Sequence, residues 1–365
     1  MNPQSQHAKN HNDYSVAMVC AMTFEMSALR YMLDQEHPRL HSKEGDPNIY
    51  TLGELNGHNI VLASLPGTQG KGSAATVATN LARTFPCIKW RFFVGIGGGV
   101  PSKKHDIRLG DVVVSMPEGQ YGGVVQYDLG KDTEEGFRLK GFLMAPPSSL
   151  RSAVETMRSD LMVKENKIDE FISAMMNKGR RLAAYARPSD AADILFDAGY
   201  SHESNVPLCN QCDRSKCVER PTRDFDGPEI HYGLIASGDS VVKNTTRRNA
   251  IIHEVGDVLC FEMEAAGMMT EFPCIVIRGV SDYADSHKND HWHYYAAATA
   301  AACAKELLSY LDPEEAKSSS PGSELPPDYE SRASNVFHGT GIQNTGSGDF
   351  SVGKNLNISG PQRNL

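Results

Sequence analysis

Four short stretches place acids or glycines where an apolar strand gives way to a turn or helix: Ala21-Met22-Thr23-Phe24-Glu25, Val94-Gly95-Ile96-Gly97-Gly98-Gly99-Val100-Pro101, Phe261-Glu262-Met263-Glu264-Ala265 and Arg278-Gly279-Val280-Ser281-Asp282-Tyr283-Ala284-Asp285. Open α/β sheets bind ligands just beyond strand ends, where carboxylates do acid–base or charge-stabilising work. Glycines there let a ligand approach the backbone closely. Singly, each stretch has a structural explanation. Glu25, Glu262 and Glu264 suit helix N-termini, Ser281-Asp282 suits an N-cap, and the glycines suit a tight turn with no G-x-G-x-x-G pattern. Basic residues lie near two of these stretches. Lys243, Arg247 and Arg248 follow an Ile-Ala-Ser-Gly-Asp segment, and His287-Lys288 follow Ser281-Asp282. Lys243, His287 and Lys288 are the candidates for phosphate oxygens, whereas Arg247 and Arg248 fit a solvated helix face equally well.

The elements that must position these residues alternate. Residues 14–20 form a short β-branched run, and Phe24, Ala28, Leu29, Met32 and Leu33 then share one helical face. Asn56-Gly57 separates the alternating runs IYTLGEL and HNIVLASL, a strong hairpin signal. Ala74, Val77, Ala78, Leu81 and Ala82 mark another amphipathic helix. Strands are predicted over 91–96, 111–116, 231–236, 258–261 and 274–278, and helices over 249–255, 264–271 and 294–310. The pattern is that of an α/β fold, a mixed central sheet flanked by helices. Residues 131–228 read as an inserted helical and loop region.

With 365 residues the chain can hold one large α/β domain plus extra segments. Its 45 acidic against 36 basic side chains argue against broad electrostatic binding to nucleic acid. The first fourteen residues lack the apolar core of a secretory signal. The best candidate for a membrane span, residues 296–304, is only a short alanine-rich stretch. The 8 cysteines are too sparse for a disulfide scaffold, so reduced thiols and a cytoplasmic location are expected. Four segments follow: a polar start over 1–13, a catalytic-type domain over 14–311, a proline- and serine-rich linker over 312–334, and a glycine- and asparagine-rich end over 335–365.

In this order the motifs resemble the nucleoside phosphorylase superfamily over about residues 14–311, particularly the methylthioadenosine/S-adenosylhomocysteine nucleosidase branch. AMTFE is similar to that branch's A-M-x-x-E start, GIGGGV to its glycine loop, IASGD to its S-G-D segment, FEMEA to V-E-M-E-A and RGVSDYAD to R-x-x-S-D-x-A-D. HYGLIASGD, CFEMEAAGMM and VIRGVSDYADSHKND resemble more closely still the nucleosidase-like domains of fungal NOD-like receptors. The resemblance implies cleavage of an N-ribosidic bond. Asp282 would protonate the departing purine at N7, which near neutral pH calls for a raised pKa. Glu264 would hold the ribose hydroxyls and stabilise the cationic sugar, with Glu262 beside it and Met263 against the ribose face. Glu25 would activate water, Gly97 and Gly98 would lie bare against the nucleoside, and Val241 and Val242 would pack on the purine.

Phosphorolysis needs arginines and small hydroxyls around an anion. The Ala21–Glu25 turn has no arginine and Glu25 repels phosphate, so hydrolysis is expected. Members of the immune-receptor branch cleave adenine from ATP, which makes adenine nucleotides the implied substrate, ATP first. The alternatives are a nucleoside phosphorylase, a methylthioadenosine/S-adenosylhomocysteine nucleosidase, and a non-catalytic nucleotide-binding assembly module. No cofactor is implied, and a homo-oligomer is.

Two further features stand apart. Cys209-x-x-Cys212, Cys217 and His202 have the makings of a Cys₃His zinc site, although the spacing is incomplete and reduced thiols in a mobile insertion are the favoured reading. No metal is required for the chemistry. In the last segment Phe337, Ile342, Phe350, Val352, Leu356 and Ile358 are interspersed with polar residues, with few charges. Such a segment can stack in register. It resembles the sigma-type prion-forming motifs that join fungal NOD-like receptors to cell-death effectors, and so implies a receptor bearing a matching motif as partner.

Overall fold

The computed structural model describes residues 9–189, 193–202, 209–270 and 272–313. The linker beyond its first two residues and the 335–365 segment, expected to be disordered and amyloid-forming, lie outside them. Along the chain come β1 (Val16–Cys20), α1 (Thr23–Met32), β2 (Gln35–His37), β3 (Tyr50–Leu55), β4 (His58–Ser64), α2 (Lys71–Thr84), β5 (Trp90–Gly99), β6 (Val112–Ser115) and β7 (Val124–Gln126). A small hairpin, β8 (Gly130–Thr133) and β9 (Gly136–Leu139), precedes α3 (Ser148–Asp160) and α4 (Ile168–Met176). Then follow β10 (Ile230–Ser237), α5 (Thr245–Val255), β11 (Val258–Glu262), α6 (Ala265–Met269), β12 (Ile275–Asp282) and α7 (His293–Leu308).

Ten of the strands make one mixed sheet in the order β11-β10-β6-β12-β5-β1-β4-β3-β2, with β7 paired to β10. β1 lies parallel between β4 and β5 and is buried along its whole length, as expected of a strand covered on both faces. Its side chains alternate between two cores. Val16, Met18 and Cys20 join a cluster with α1, α3, α4 and α7, whereas Ala17 and Val19 join one with α2 and α6. Asn56 and Gly57 have φ of 49° and 80°, and Leu55 pairs with His58. This is the two-residue turn that Asn-Gly favours because both residues tolerate the left-handed region.

Three expectations need correction. β5 runs through Gly97-Gly98-Gly99 rather than ending before a turn, because these glycines are paired with β12 and β11. β12 extends to Asp282, so Ser281-Asp282 is the end of a strand and not a helix cap. The 131–228 region is only partly an insertion: Leu150, Val154 and Met157 of α3 and Ile168, Ile172 and Met175 of α4 are buried in the main core. The alanine-rich stretch is the buried face of α7, and a side chain at Gly279 of β12 would collide with the Ala296 carbonyl of that helix. Among the described residues no helix is long and apolar enough to cross a membrane.

Candidate active site

Gly98 is the point where three motifs meet. It pairs in parallel with Asp282 and antiparallel with Phe261, so the register of β5 sets β12's terminal acid on one side and the Glu262-Met263-Glu264 turn on the other. The β5–β12 register slips between Val280 and Asp282, which leaves Ser281 as the extra residue of a bulge. Bulges re-aim the side chains beside them, and this one turns Asp282 into a cleft of about 180 Å³.

Glu25, Glu264 and Asp282 all line that cleft, together with Gly97, Gly98, Val241, Val242, Glu262, Met263 and Lys288. Glu25 sits in the first turn of α1, where its Oε2 accepts the Ala21 and Met22 N–H groups at 2.9 and 2.8 Å and its Oε1 accepts the Ile96 N–H at 2.8 Å. The same carboxylate thus caps α1 and lines the cleft. Burial pushes its carboxyl above the usual range, against the opposing pull of Arg278 and the three N–H donors.

Beneath the acids lies Arg278, 1% exposed, its guanidinium over the Phe93 ring at 4.3 Å. It donates to Glu262 Oε2 at 2.6 Å and stands 3.9 Å from Glu264. Glu262 also accepts the Glu264 and Ala265 N–H groups, both at 3.0 Å, so its carboxylate is committed to protein. Among the described residues, Glu264 accepts a single long 3.3 Å bond, from the Gly70 N–H. Burial first, and then the neighbouring Glu262 charge, push it up to about 7. Gly95 has no side chain because Arg278 and Glu25 occupy the space a Cβ would need.

Asp282 departs from expectation. Its Oδ1 accepts the Ala284 N–H at 2.9 Å, and its Oδ2 accepts the Ser281 hydroxyl at 2.8 Å and the Lys288 ammonium at 2.5 Å. Burial alone would raise its pKa, but the Lys288 charge and these hydrogen bonds outweigh it and hold the carboxyl below the usual range. In the resting site Asp282 is thus a carboxylate paired with an ammonium, not a free acid. Lys288 is correspondingly engaged by Asp282 rather than standing free for phosphate.

The other phosphate candidates do not line the cleft. The His287 ring is stacked on Phe196 at 4.1 Å and against Tyr200 at 5.4 Å, away from the acids. Lys243 is exposed beyond the cleft wall, close enough to His293 to lower that ring's proton affinity, though burial of the ring contributes most. Arg248 is buried and donates to the Tyr283 carbonyl at 2.7 Å, so it braces the loop after Asp282. Of the cysteines, Cys209 and Cys212 gather with His202, while Cys217 pairs by its backbone with Phe196.

Sequence reasoning missed Arg278 as the hub of the acids, although an arginine inside the apolar run CIVIRGV must be paired if buried. Gln69 and His293 also line the cleft, and their flanking sequence carries no signal of it. A second cavity of about 150 Å³ lies around Arg187 and Arg223, but these pair with Asp226 and Asp111, and none of the four motifs' acids reaches it.

This geometry has relatives. The chain is 41% identical over 306 residues to a nucleotide-binding leucine-rich repeat (NLR)-like protein of Hyaloscypha variabilis, an alignment that takes in 84% of this chain but only 30% of that protein. It is 25% identical over 303 residues to a 5'-methylthioadenosine/S-adenosylhomocysteine nucleosidase of Mycobacterium bovis, covering 81% of this chain and 96% of the relative. The fold is similar to the crystal structure of the corresponding nucleosidase from Neisseria meningitidis, with a TM-score of 0.53 and 21% identity across 81% of this chain and 99% of that one. It is also similar to futalosine hydrolase of Helicobacter pylori, with a TM-score of 0.51 and 18% identity across 83% and 100%. The phosphorylase superfamily model matches residues 15–311. With the mixed sheet, the glycine-floored cleft and this match in agreement, the chain belongs to the phosphorylase superfamily.

Proposed function

We propose that the protein hydrolyses the N-ribosidic bond of a purine nucleotide, ATP first, releasing adenine and ribose 5-triphosphate. The observation that carries this reading is the convergence of Glu25, Glu264 and Asp282, from three distant stretches of chain, on one cleft floored by Gly97 and Gly98. The proton for N7 comes from the Asp282–Lys288 pair: as the purine departs with the bonding electrons, Asp282 Oδ2 passes on a proton that the ammonium supplies. Glu264, whose oxygens are least engaged by protein, faces the ribose hydroxyls and the developing positive charge. Glu25 takes the proton of the attacking water. Its Oε1 accepts one backbone N–H and keeps a lone pair for that water, and its raised proton affinity suits a base.

Water is favoured over phosphate as nucleophile. No arginine lines the cleft among the described residues, the buried Arg278 guanidinium is bound to Glu262, and the walls present carboxylates. The apolar lining by Met22, Val241, Phe261 and Met263 favours, as the second reading, a nucleoside with an apolar 5′ substituent. The likeness to an NLR-like protein supports a role as a fungal immune or cell-death effector, activated when the 335–365 segment is templated by a receptor's matching motif. Product chromatography across a panel of nucleotides and nucleosides, with and without phosphate, tests the chemistry. Adenine plus ribose triphosphate from ATP is the expected result; intact ATP with cleaved methylthioadenosine selects the second reading, and strict phosphate dependence rejects hydrolysis. Asp282→Asn is expected to lower turnover about 10²–10⁴-fold with the fold unchanged by circular dichroism.

A further inference from the structure

We propose that His202, Cys209 and Cys212 form a zinc site that ties these three residues to the loop between β12 and α7. The ligand atoms of these three residues lie within 4.8 Å of one another. His202 Nδ1 is 3.1 Å from Cys212 Sγ and 3.9 Å from Cys209 Sγ. A tetrahedral zinc with ordinary Zn–N and Zn–S bonds separates its nitrogen and sulfur ligands by about 3.6 Å, between the two values, so zinc enters with small side-chain shifts. Two thiolates and a neutral imidazole cancel the charge of a divalent ion, and this soft donor set selects zinc over magnesium or calcium.

The surroundings point the same way. The His287 ring stands edge-on to that of His202 with centroids 5.5 Å apart; its side chain is 7% exposed, its Nδ1 lies 3.6 Å from Asp285 Oδ1, and among the described residues neither ring nitrogen has a hydrogen bond. A buried imidazole with only that loose carboxylate contact is poorly satisfied as it stands, and a polar group at the fourth zinc position would answer that need. Cys217 is not in the cluster, so the site is not the Cys₃His set whose makings the sequence holds, and it differs from the favoured reading of reduced thiols.

The site grips the functional loop directly. The His202 N–H donates to the Ser286 hydroxyl oxygen at 2.9 Å, and the Cys209 sulfur lies 3.5 Å from the His287 carbonyl oxygen, a thiol hydrogen bond that gives way to the zinc–sulfur bond when the metal is bound. Residue 288 is next in the chain, and its ammonium pairs with Asp282. Zinc at this point holds the loop that presents Lys288, yet takes no part in bond cleavage.

The full-length protein, expressed with zinc in the medium and purified without chelator, is expected to carry about one zinc per chain by plasma mass spectrometry. Cys209→Ser and Cys212→Ser should each lose it, whereas Cys217→Ser should retain it. Stripping with a chelator should lower the melting temperature, and added zinc should restore it. Zinc-free wild-type protein, loss of zinc in Cys217→Ser as in Cys212→Ser, or a Cys209–Cys212 disulfide found by thiol titration would each overturn the proposal. These readouts are independent of whether ATP is the substrate.

Discussion

Glu264 carries a proton in the folded protein up to about pH 7, whereas an unperturbed glutamate loses it near 4.5. The folded state therefore binds an extra proton across that window, and folding stability falls as pH rises through it. Urea denaturation at several pH values between 4 and 8 should show that decline, and Glu264→Gln should flatten it. Catalysis runs the other way: the ionised carboxylate is the form that stabilises a cationic sugar, so turnover should rise through about pH 7. Asp282 is the opposite case, its charged form held by Lys288 against the pull of burial. Removing the ammonium leaves burial to dominate. Lys288→Met should move the Asp282-linked limb of the pH–rate profile upward, and Lys288→Arg should leave it near its original place.

The glycines of β5 show how one element serves packing and chemistry at once. A Cβ at Gly98 would lie 2.8 Å from Asp282 Oδ1 and 2.9 Å from the Ala284 side chain. At Gly97 it would lie 2.5 Å from Cys260 Sγ and 2.8 Å from the Phe261 carbonyl. Bare backbone at Gly97 is thus demanded by β11, not only by a ligand. Gly98→Ala should displace the reacting carboxylate and lower turnover about 10²-fold. Gly97→Ala should act mainly on stability, by about 1–3 kcal/mol of overpacking. Parallel measurement of turnover and melting temperature separates the two; equal loss of both in each variant would refute the division.

The superfamily match spans 15–311, while the chain continues to residue 365. The chain spans about a third of the length of its NLR-like relative but nearly all of the mycobacterial nucleosidase, so the matched region has the size of a complete nucleosidase. What lies beyond it belongs to assembly in the proposed reading. A synthetic peptide of residues 335–365 should form thioflavin-positive fibrils, and seeds of it should raise the nucleosidase activity of the full chain. An amorphous or soluble peptide would remove the templating proposal and leave the cleft chemistry untouched.

Most of the framework was legible in the residues themselves. A β-branched run marked β1, alternation marked β3 and β4, the Asn-Gly pair marked the turn between them, and helical spacing marked α1 and α2, because these features depend on local geometry. The acids could be named for the same reason: charge at the end of an apolar strand is conspicuous. Their partners could not. His287 and Lys288 are neighbours in the chain and look alike as basic groups, yet one ring stacks beneath Phe196 while the other side chain reaches Asp282. That division follows from the path of the loop between β12 and α7, and the path depends on Arg248, His202 and Cys209 meeting it from other parts of the chain. Local sequence thus determined which groups carry charge and which strands they end. Only the tertiary packing decided which charges face each other across low-dielectric space, and with that which carboxyl holds its proton and which gives it up.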